Sequence, residues 1–171
     1  MSHFAALLRS TRGAAAAEMA LVIPLMLILM MGSFELGNFF MNEHKLVKAV
    51  RDGARFAGRQ SFANYPCPGG TINSGVVTDT QNVVRTGQVS GGTARLPNTW
   101  TIGVALTCNT DLAGGSANPP SGIYKPSSGL AYAPVVTISA SVPYRPVLAS
   151  YGFRGVGLNL NATQQSAVMG L

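Results

Sequence analysis

Charge is scarce in this chain. Of 171 residues only 11% are Asp, Glu, Lys or Arg, under half of the roughly 25% of an average soluble protein. Six acids, two histidines, two cysteines and one tryptophan complete a short inventory of chemistry-bearing side chains. Residues 61–171 hold no histidine and only two acids, Asp79 and Asp111. Each absence excludes something. A Ser-His-Asp triad has no base in that part of the chain. Asp79 and Asp111 each sit in a turn or cap context that accounts for them without catalysis. No phosphate-cradling G-x-x-x-x-G-K-[ST], nucleophile-elbow G-x-S-x-G or zinc-binding H-E-x-x-H run occurs. Gly155-Val156-Gly157 opens a strand-like run and is no dinucleotide fingerprint. Cys67 and Cys108 have no second Cys or His at ligand spacing, which argues against a metal site. The expectation is therefore no enzyme, no cofactor and no small-molecule substrate. The net charge of +6 invites a nucleic-acid reading. However, Arg85, Arg95, Lys125, Arg145 and Arg154 are too dispersed for a phosphate-tracking stripe, and Tyr124, Tyr132 and Tyr144 lack the spacing of a stacking platform. A mean hydropathy of +0.25 excludes a disordered chain.

Proline and glycine are also scarce, but only at first. Nine of ten prolines and fifteen of twenty glycines follow Gln60. That contrast predicts a helical first part and a turn-rich, strand-like second part, with loops at 66–75 and 114–129. Within the first part, residues 19–34 carry no charge, and the apolar stretch around them is interrupted only by Glu18 and Glu35. Seventeen steps separate the two carboxylates, roughly 26 Å of helix at about 1.5 Å per residue. Both can sit near opposite interfaces of a bilayer, where charge costs far less than at its centre. A buried core helix is the competing reading, but no similarly hydrophobic partner segment exists elsewhere in the chain.

A removable secretory signal places its small-residue cleavage site after the apolar core. Here Gly13 and the alanines at 14–17 come before it. Arg9 and Arg12, with no acid before Glu18, predict a cytoplasmic N-terminus and an external position for residues beyond about 42. Five bases between Lys45 and Arg59 oppose that orientation, though Glu43 and Asp52 are mixed among them. Pro24 removes a backbone donor inside the segment and is expected to kink or loosen it. Gly32, Ser33 and Gly37 either let another helix approach closely or fill lipid-facing positions.

The run RGAAAAEMALVIPLMLILMMGSFELGNFF, followed by AVRDGARFAG, resembles the signature of TadE-like proteins, minor pseudopilins of the tight-adherence (Tad/Flp) type IV pilus machinery. The elements that carry the resemblance are Arg12-Gly13, Glu18, Pro24, Glu35-Leu36-Gly37 and Arg51-Asp52-Gly53-Ala54-Arg55, over about residues 9–60. Ala17, Met19 and Asn38 depart from the residue types common in the family. The resemblance implies that a prepilin peptidase cuts after Gly13 and leaves Ala14 as the new N-terminus. It also makes Glu18 the fifth mature residue, which meets the N-terminal amine of a neighbouring subunit. A carboxylate in lipid needs such a partner; snorkelling to the headgroups is the alternative. The implied partners are the membrane, the prepilin peptidase, other pilins or pseudopilins and the pilus assembly platform. The implied location is the bacterial inner membrane with a periplasmic C-terminal domain, or an extracellular pilus. The alternative from a different class is a membrane-anchored periplasmic binding module that enters no filament.

Beyond the membrane segment, Lys45, Lys48, Asp52, Arg55 and Arg59 are spaced as one polar helical stripe, opposite Leu46, Val50, Gly53 and Ala57. Lys48 and Asp52 are placed to pair at i, i+4. Period-two alternation predicts strands over 99–109, 134–145 and 156–163, arranged as a meander, with 164–171 either a strand extension or a frayed end. Residues 78–81 resemble a capping box, with Gly87 to stop a short helix. The expected fold is α+β and pilin-like: a long N-terminal transmembrane and amphipathic helix packed on a small antiparallel sheet. Its parts are a leader (1–13), a transmembrane helix (14–41), an amphipathic extension (42–60) and a sheet domain (61–171). An even pair of cysteines outside the membrane favours a Cys67–Cys108 disulfide over two buried thiols. Closing a loop of that size contributes about 3–4 kcal/mol in the chain-entropy model.

Overall fold

The computed structural model describes residues 11–97, 99–109, 132–152 and 157–170. Arg9 and the rest of the leader before Thr11, the expected loop at 114–129, Asp111, Tyr124, Lys125, Arg154 and Val156 lie outside the described residues. The elements are helix α1 (Thr11–Gly58), a 3-10 turn (Phe62–Asn64), helix α2 (Ser74–Thr86), strands β1 (Thr101–Asn109) and β2 (Ala133–Pro143), a second 3-10 turn (Ala149–Tyr151) and strand β3 (Asn159–Ala167). The fold is a long apolar N-terminal helix with a small three-stranded antiparallel sheet, in the α+β class. The chain divides into two compact units, Met1–Phe40 with Pro146–Arg154, and Met41–Arg145 with Gly155–Leu171.

In the second unit the sheet is an antiparallel meander, β1-β2-β3. The ladder puts Ile102, Val104 and Leu106 opposite Ala140, Ile138 and Val136. Across β2, Leu160 and Ala162 face Val142 and Ala140. Cross-strand partners share a face, so these residues form one apolar surface. The other surface carries Thr101, Thr137, Ser139, Ser141, Asn161 and Thr163. The third strand lies further along the chain than hydrophobic alternation places it. Gln164 and Ser166 are the reason: they continue the ladder opposite Ile138 and Val136, but being polar they break the apolar pattern that marks a strand in sequence.

The amphipathic end of α1 covers the apolar surface. Leu46, Ala49, Val50, Gly53, Ala54, Ala57 and Gly58 are buried, at the 3- and 4-residue spacing of one helix face. Lys45, Lys48, Arg51, Arg55 and Arg59 remain exposed. Small residues set how close the layers come. A Cβ on Gly53 would overlap Val84 Cγ2 of α2 and come within 3.6 Å of Ile138 Cδ1. One on Gly58 would overlap Ser166 Oγ and lie 2.9 Å from the Ala167 carbonyl. The Met169 N–H then donates to the Gly58 carbonyl at 2.7 Å, joining the end of the chain to the end of α1.

Helix α2 begins earlier than its sequence signal at 78–81. Asn73 is the cap, its side chain accepting from the Gly75 N–H at 2.9 Å. Thr78 does not cap; its hydroxyl donates back to the Ser74 carbonyl at 3.0 Å. Gly87, at φ +85°, ends the helix in the left-handed conformation and donates its N–H to the Val83 carbonyl at 2.8 Å. Val76, Thr80, Val83 and Val84 are the buried face of α2. The Thr80 hydroxyl is buried without a hydrogen-bond partner.

Two interactions close the second unit. The Tyr65 hydroxyl, on a side chain 1% exposed, donates to the Ala57 carbonyl at 2.7 Å. The indole N–H of Trp100 donates to the Leu96 carbonyl at 3.2 Å.

Gly53→Ala removes the helix penalty of glycine, yet it forces α1 away from a stiff β-branched neighbour. A net loss of about 1–2 kcal/mol is expected in denaturant unfolding of the extracted protein, because overpacking outweighs propensity. Burial pushes the Tyr65 phenol up from 10.0 to about 12. The native state therefore holds this proton more tightly than the unfolded chain. The associated stability is intact below pH 10.0 and is lost as pH rises to about 12, by roughly 3 kcal/mol in all. Tyr65→Phe is expected to flatten that alkaline limb in denaturant titrations at stepped pH.

Candidate functional site

The first unit is dominated by the N-terminal part of α1. Its most apolar eighteen-residue window has a mean hydropathy of 2.2, and none of that window is buried. Leu21 is 78% exposed, and Met19, Leu25, Ile28 and Leu29 are also bare. Such a surface is unfavourable in water at roughly 25 cal/mol per Å² of apolar area, and favourable in lipid. The helix supplies its own backbone hydrogen bonds, which is the condition for crossing a hydrocarbon layer. The Ser33 hydroxyl is satisfied in the same way, donating to the Leu29 carbonyl at 2.8 Å. The helix continues through Pro24. With no N–H at that position, the Ala20 carbonyl lacks its usual partner.

Gly13 and Ala14 lie on α1 and are exposed, as are Glu18, Pro24 and Gly37. A Cβ placed on Gly13, Gly32 or Gly37 would meet nothing within 4 Å. These residues are strung along the helix rather than gathered into a pocket. Ion-pair chemistry at Glu18 thus depends on a group outside the described residues.

Glu35 is different. Its two carboxylate oxygens accept from successive backbone amides of the β2–β3 connection, the Val147 N–H at 3.3 Å and the Leu148 N–H at 3.0 Å. The contact spans 112 and 113 residues of sequence. Met31, Gly32, Glu35, Asn38 and Phe39 are half-buried at helical spacing, forming the one sheltered face of this part of α1. In sequence Glu35 marks the end of the apolar run and belongs to the TadE-like Glu35-Leu36-Gly37 element, but nothing local points to a backbone partner. The signal for more was the uncharged stretch 146–152, bracketed by Arg145 and Arg154.

In the second unit, the RDGAR segment serves packing. Gly53 and Ala54 are buried against the layers beneath. Asp52 pairs with Arg95 at 2.9 Å, not with Lys48 one turn away, because the loop after α2 brings the guanidinium over the helix. The Arg95 N–H is itself fixed by the Arg85 carbonyl at 2.9 Å. Cys67 and Cys108 are joined by a disulfide, with Cα atoms 5.8 Å apart. It ties the segment after α1 to the end of β1 across 41 residues. No group of three or more metal-ligating side chains occurs among the described residues.

The model of the family described as TadE-like protein matches residues 13–55. The matched segment covers the bare apolar part of α1, Glu35 and the RDGAR stretch of the same helix. No curated protein and no solved structure is significantly similar to the chain.

Glu35→Ala removes both acceptors at once. Charge-assisted hydrogen bonds to backbone amides are expected to slow exchange, so hydrogen–deuterium exchange at Val147 and Leu148 should quicken by about tenfold or more. Amides of β2 should keep their protection, and mass spectrometry of peptic fragments separates the two regions.

Proposed function

We propose, from a chain whose residues 13–55 are TadE-like, that this protein is a minor pseudopilin of a Tad-type type IV pilus. The TadE-like match supports an association of the chain with the Tad pilus. Our reading goes further: a prepilin peptidase cleaves after Gly13, and the mature subunit works by packing α1 against other pilin-like helices in pilus biogenesis, adhesion or export. The observation that supports this reading best is the bare apolar window of α1, which lies inside the matched segment. A helix with hydropathy this high and no intramolecular cover needs lipid or other helices around it.

Cleavage after Gly13 removes Arg9 and Arg12 and leaves ten bases against six acids. It also creates a free amine at Ala14, four residues before Glu18. In the membrane an unpaired carboxylate is costly. An amine from a neighbouring subunit at Glu18 turns that cost into a preference for assembly. Gly32 and Gly37 leave room for close helix approach. The leader (1–13) stays in the cytoplasm, 14–41 spans the inner membrane, 42–60 extends the helix, and the sheet domain (61–171) lies in the periplasm.

Intact mass of the protein produced with and without a prepilin peptidase tests the reading. The expected result is loss of residues 1–13 only when the peptidase is present. A leader that stays intact refutes processing and favours an anchored periplasmic binding module. In the same system Glu18→Ala is expected to be cleaved yet to abolish pilus assembly, scored by sheared-filament yield.

A further inference from the structure

We infer that the connection between β2 and β3, residues 146–152, is a membrane-seating loop. It inserts Val147 and Tyr151 into the headgroup–acyl boundary at the Glu35 end of the bilayer that α1 spans. The inference rests on the reading of α1 as a membrane helix. Three observations carry it, all within the first unit.

The first is depth. Glu35 ends the uncharged run that begins after Glu18, so a membrane-spanning α1 places its carboxylate at an interface. The Val147 and Leu148 amides are hydrogen-bonded to that carboxylate at 3.3 and 3.0 Å. The loop backbone is therefore held within one hydrogen bond of the interface.

The second is exposure. Val147 is 68% exposed and Tyr151 69%, on a loop whose seven residues carry no charge. Tyrosine, with an apolar ring and a polar tip, favours this depth.

The third is hydrogen-bond satisfaction. Irregular backbone at the edge of the hydrocarbon layer needs protein partners for its N–H groups. Glu35 supplies two acceptors to successive amides, and the 3-10 turn closes on itself, with the Tyr151 N–H donating to the Leu148 carbonyl at 2.9 Å. A polar side chain at the end of a membrane helix thus makes an apolar loop compatible with lipid.

Single cysteines at Val147, Tyr151 and, inside the helix, Leu27 test this in the oxidised full-length protein, where Cys67 and Cys108 are bonded to each other. Each variant is labelled with the environment-sensitive NBD fluorophore and reconstituted into phosphatidylethanolamine–phosphatidylglycerol vesicles. Headgroup-nitroxide lipid, mid-chain-nitroxide lipid and aqueous iodide serve as separate quenchers. Labels at 147 and 151 are expected to show a blue-shifted emission, quenching by headgroup nitroxide and little quenching by iodide. Quenching by iodide alone overturns the inference. Protection from iodide without quenching by nitroxide lipid also overturns it, and assigns the loop to a protein contact instead. The Leu27 label separates this failure from failure of the membrane reading. If it is quenched by mid-chain nitroxide while 147 and 151 are not, α1 spans the bilayer and the loop stays in water. If none of the three responds to lipid quenchers, both readings fall together.

Discussion

The second unit depends on how closely α1 can approach what lies beneath it. A helix axis normally stands off a sheet by the length of its side chains, and a core of this size has little other surface to bury. Gly53, Ala54, Ala57 and Gly58 shorten that distance until Val84 and Ser166 would be struck by a single added methyl. Dispersion contacts fall off steeply with separation, so this closeness is what makes a three-stranded sheet and two helices a packed core. Tyr65 then closes over the Ala57 carbonyl, and Met169 over that of Gly58. Both are hydrogen bonds to the last turns of α1, and both fail if the helix is lifted.

Much of this was legible in the residues. The alternating segments of β1 and β2 and the 3-and-4 spacing of Leu46, Val50, Gly53 and Ala57 identify their elements, because burial on one face leaves a periodic trace. Gly87 marks the end of α2 because a left-handed residue is cheap only for glycine. The parts that were not legible share a physical reason. The end of β3 puts the polar Gln164 and Ser166 on the apolar face, and the ladder of N–H and C=O groups that pairs them has no side-chain signature. Asn73 caps α2 through a turn that only tertiary context selects over the Thr78 alternative. Asp52 has a basic residue one turn away on its own helix, yet its partner Arg95 is 43 residues distant. Long-range ion pairs leave no mark at fixed spacing.

The candidate site divides along the same line. Glu18, Pro24, Gly32 and Gly37 are conspicuous in sequence because a carboxylate, a proline and small residues are unusual in an apolar run. In the first unit Glu18, Pro24 and Gly37 are exposed, and Gly32 is half-buried on the face that also holds Glu35. Glu35 is equally conspicuous in sequence, but its bond to the β2–β3 connection is a product of folding. A single carboxylate serves two purposes at once: it terminates the apolar run and it supplies hydrogen bonds to chain more than a hundred residues away.

The near absence of ionisable groups in the strands has a further consequence. None of β1, β2 or β3 carries an acidic, basic or imidazole side chain, and the ion pair described within the second unit lies on α1 and the loop after α2. Protons and salt act on a fold mainly through charges whose environment changes on folding. The strands offer them almost no purchase. A sheet built this way meets acid, brine or fresh water unchanged, held by apolar contacts, backbone pairing and one covalent cross-link.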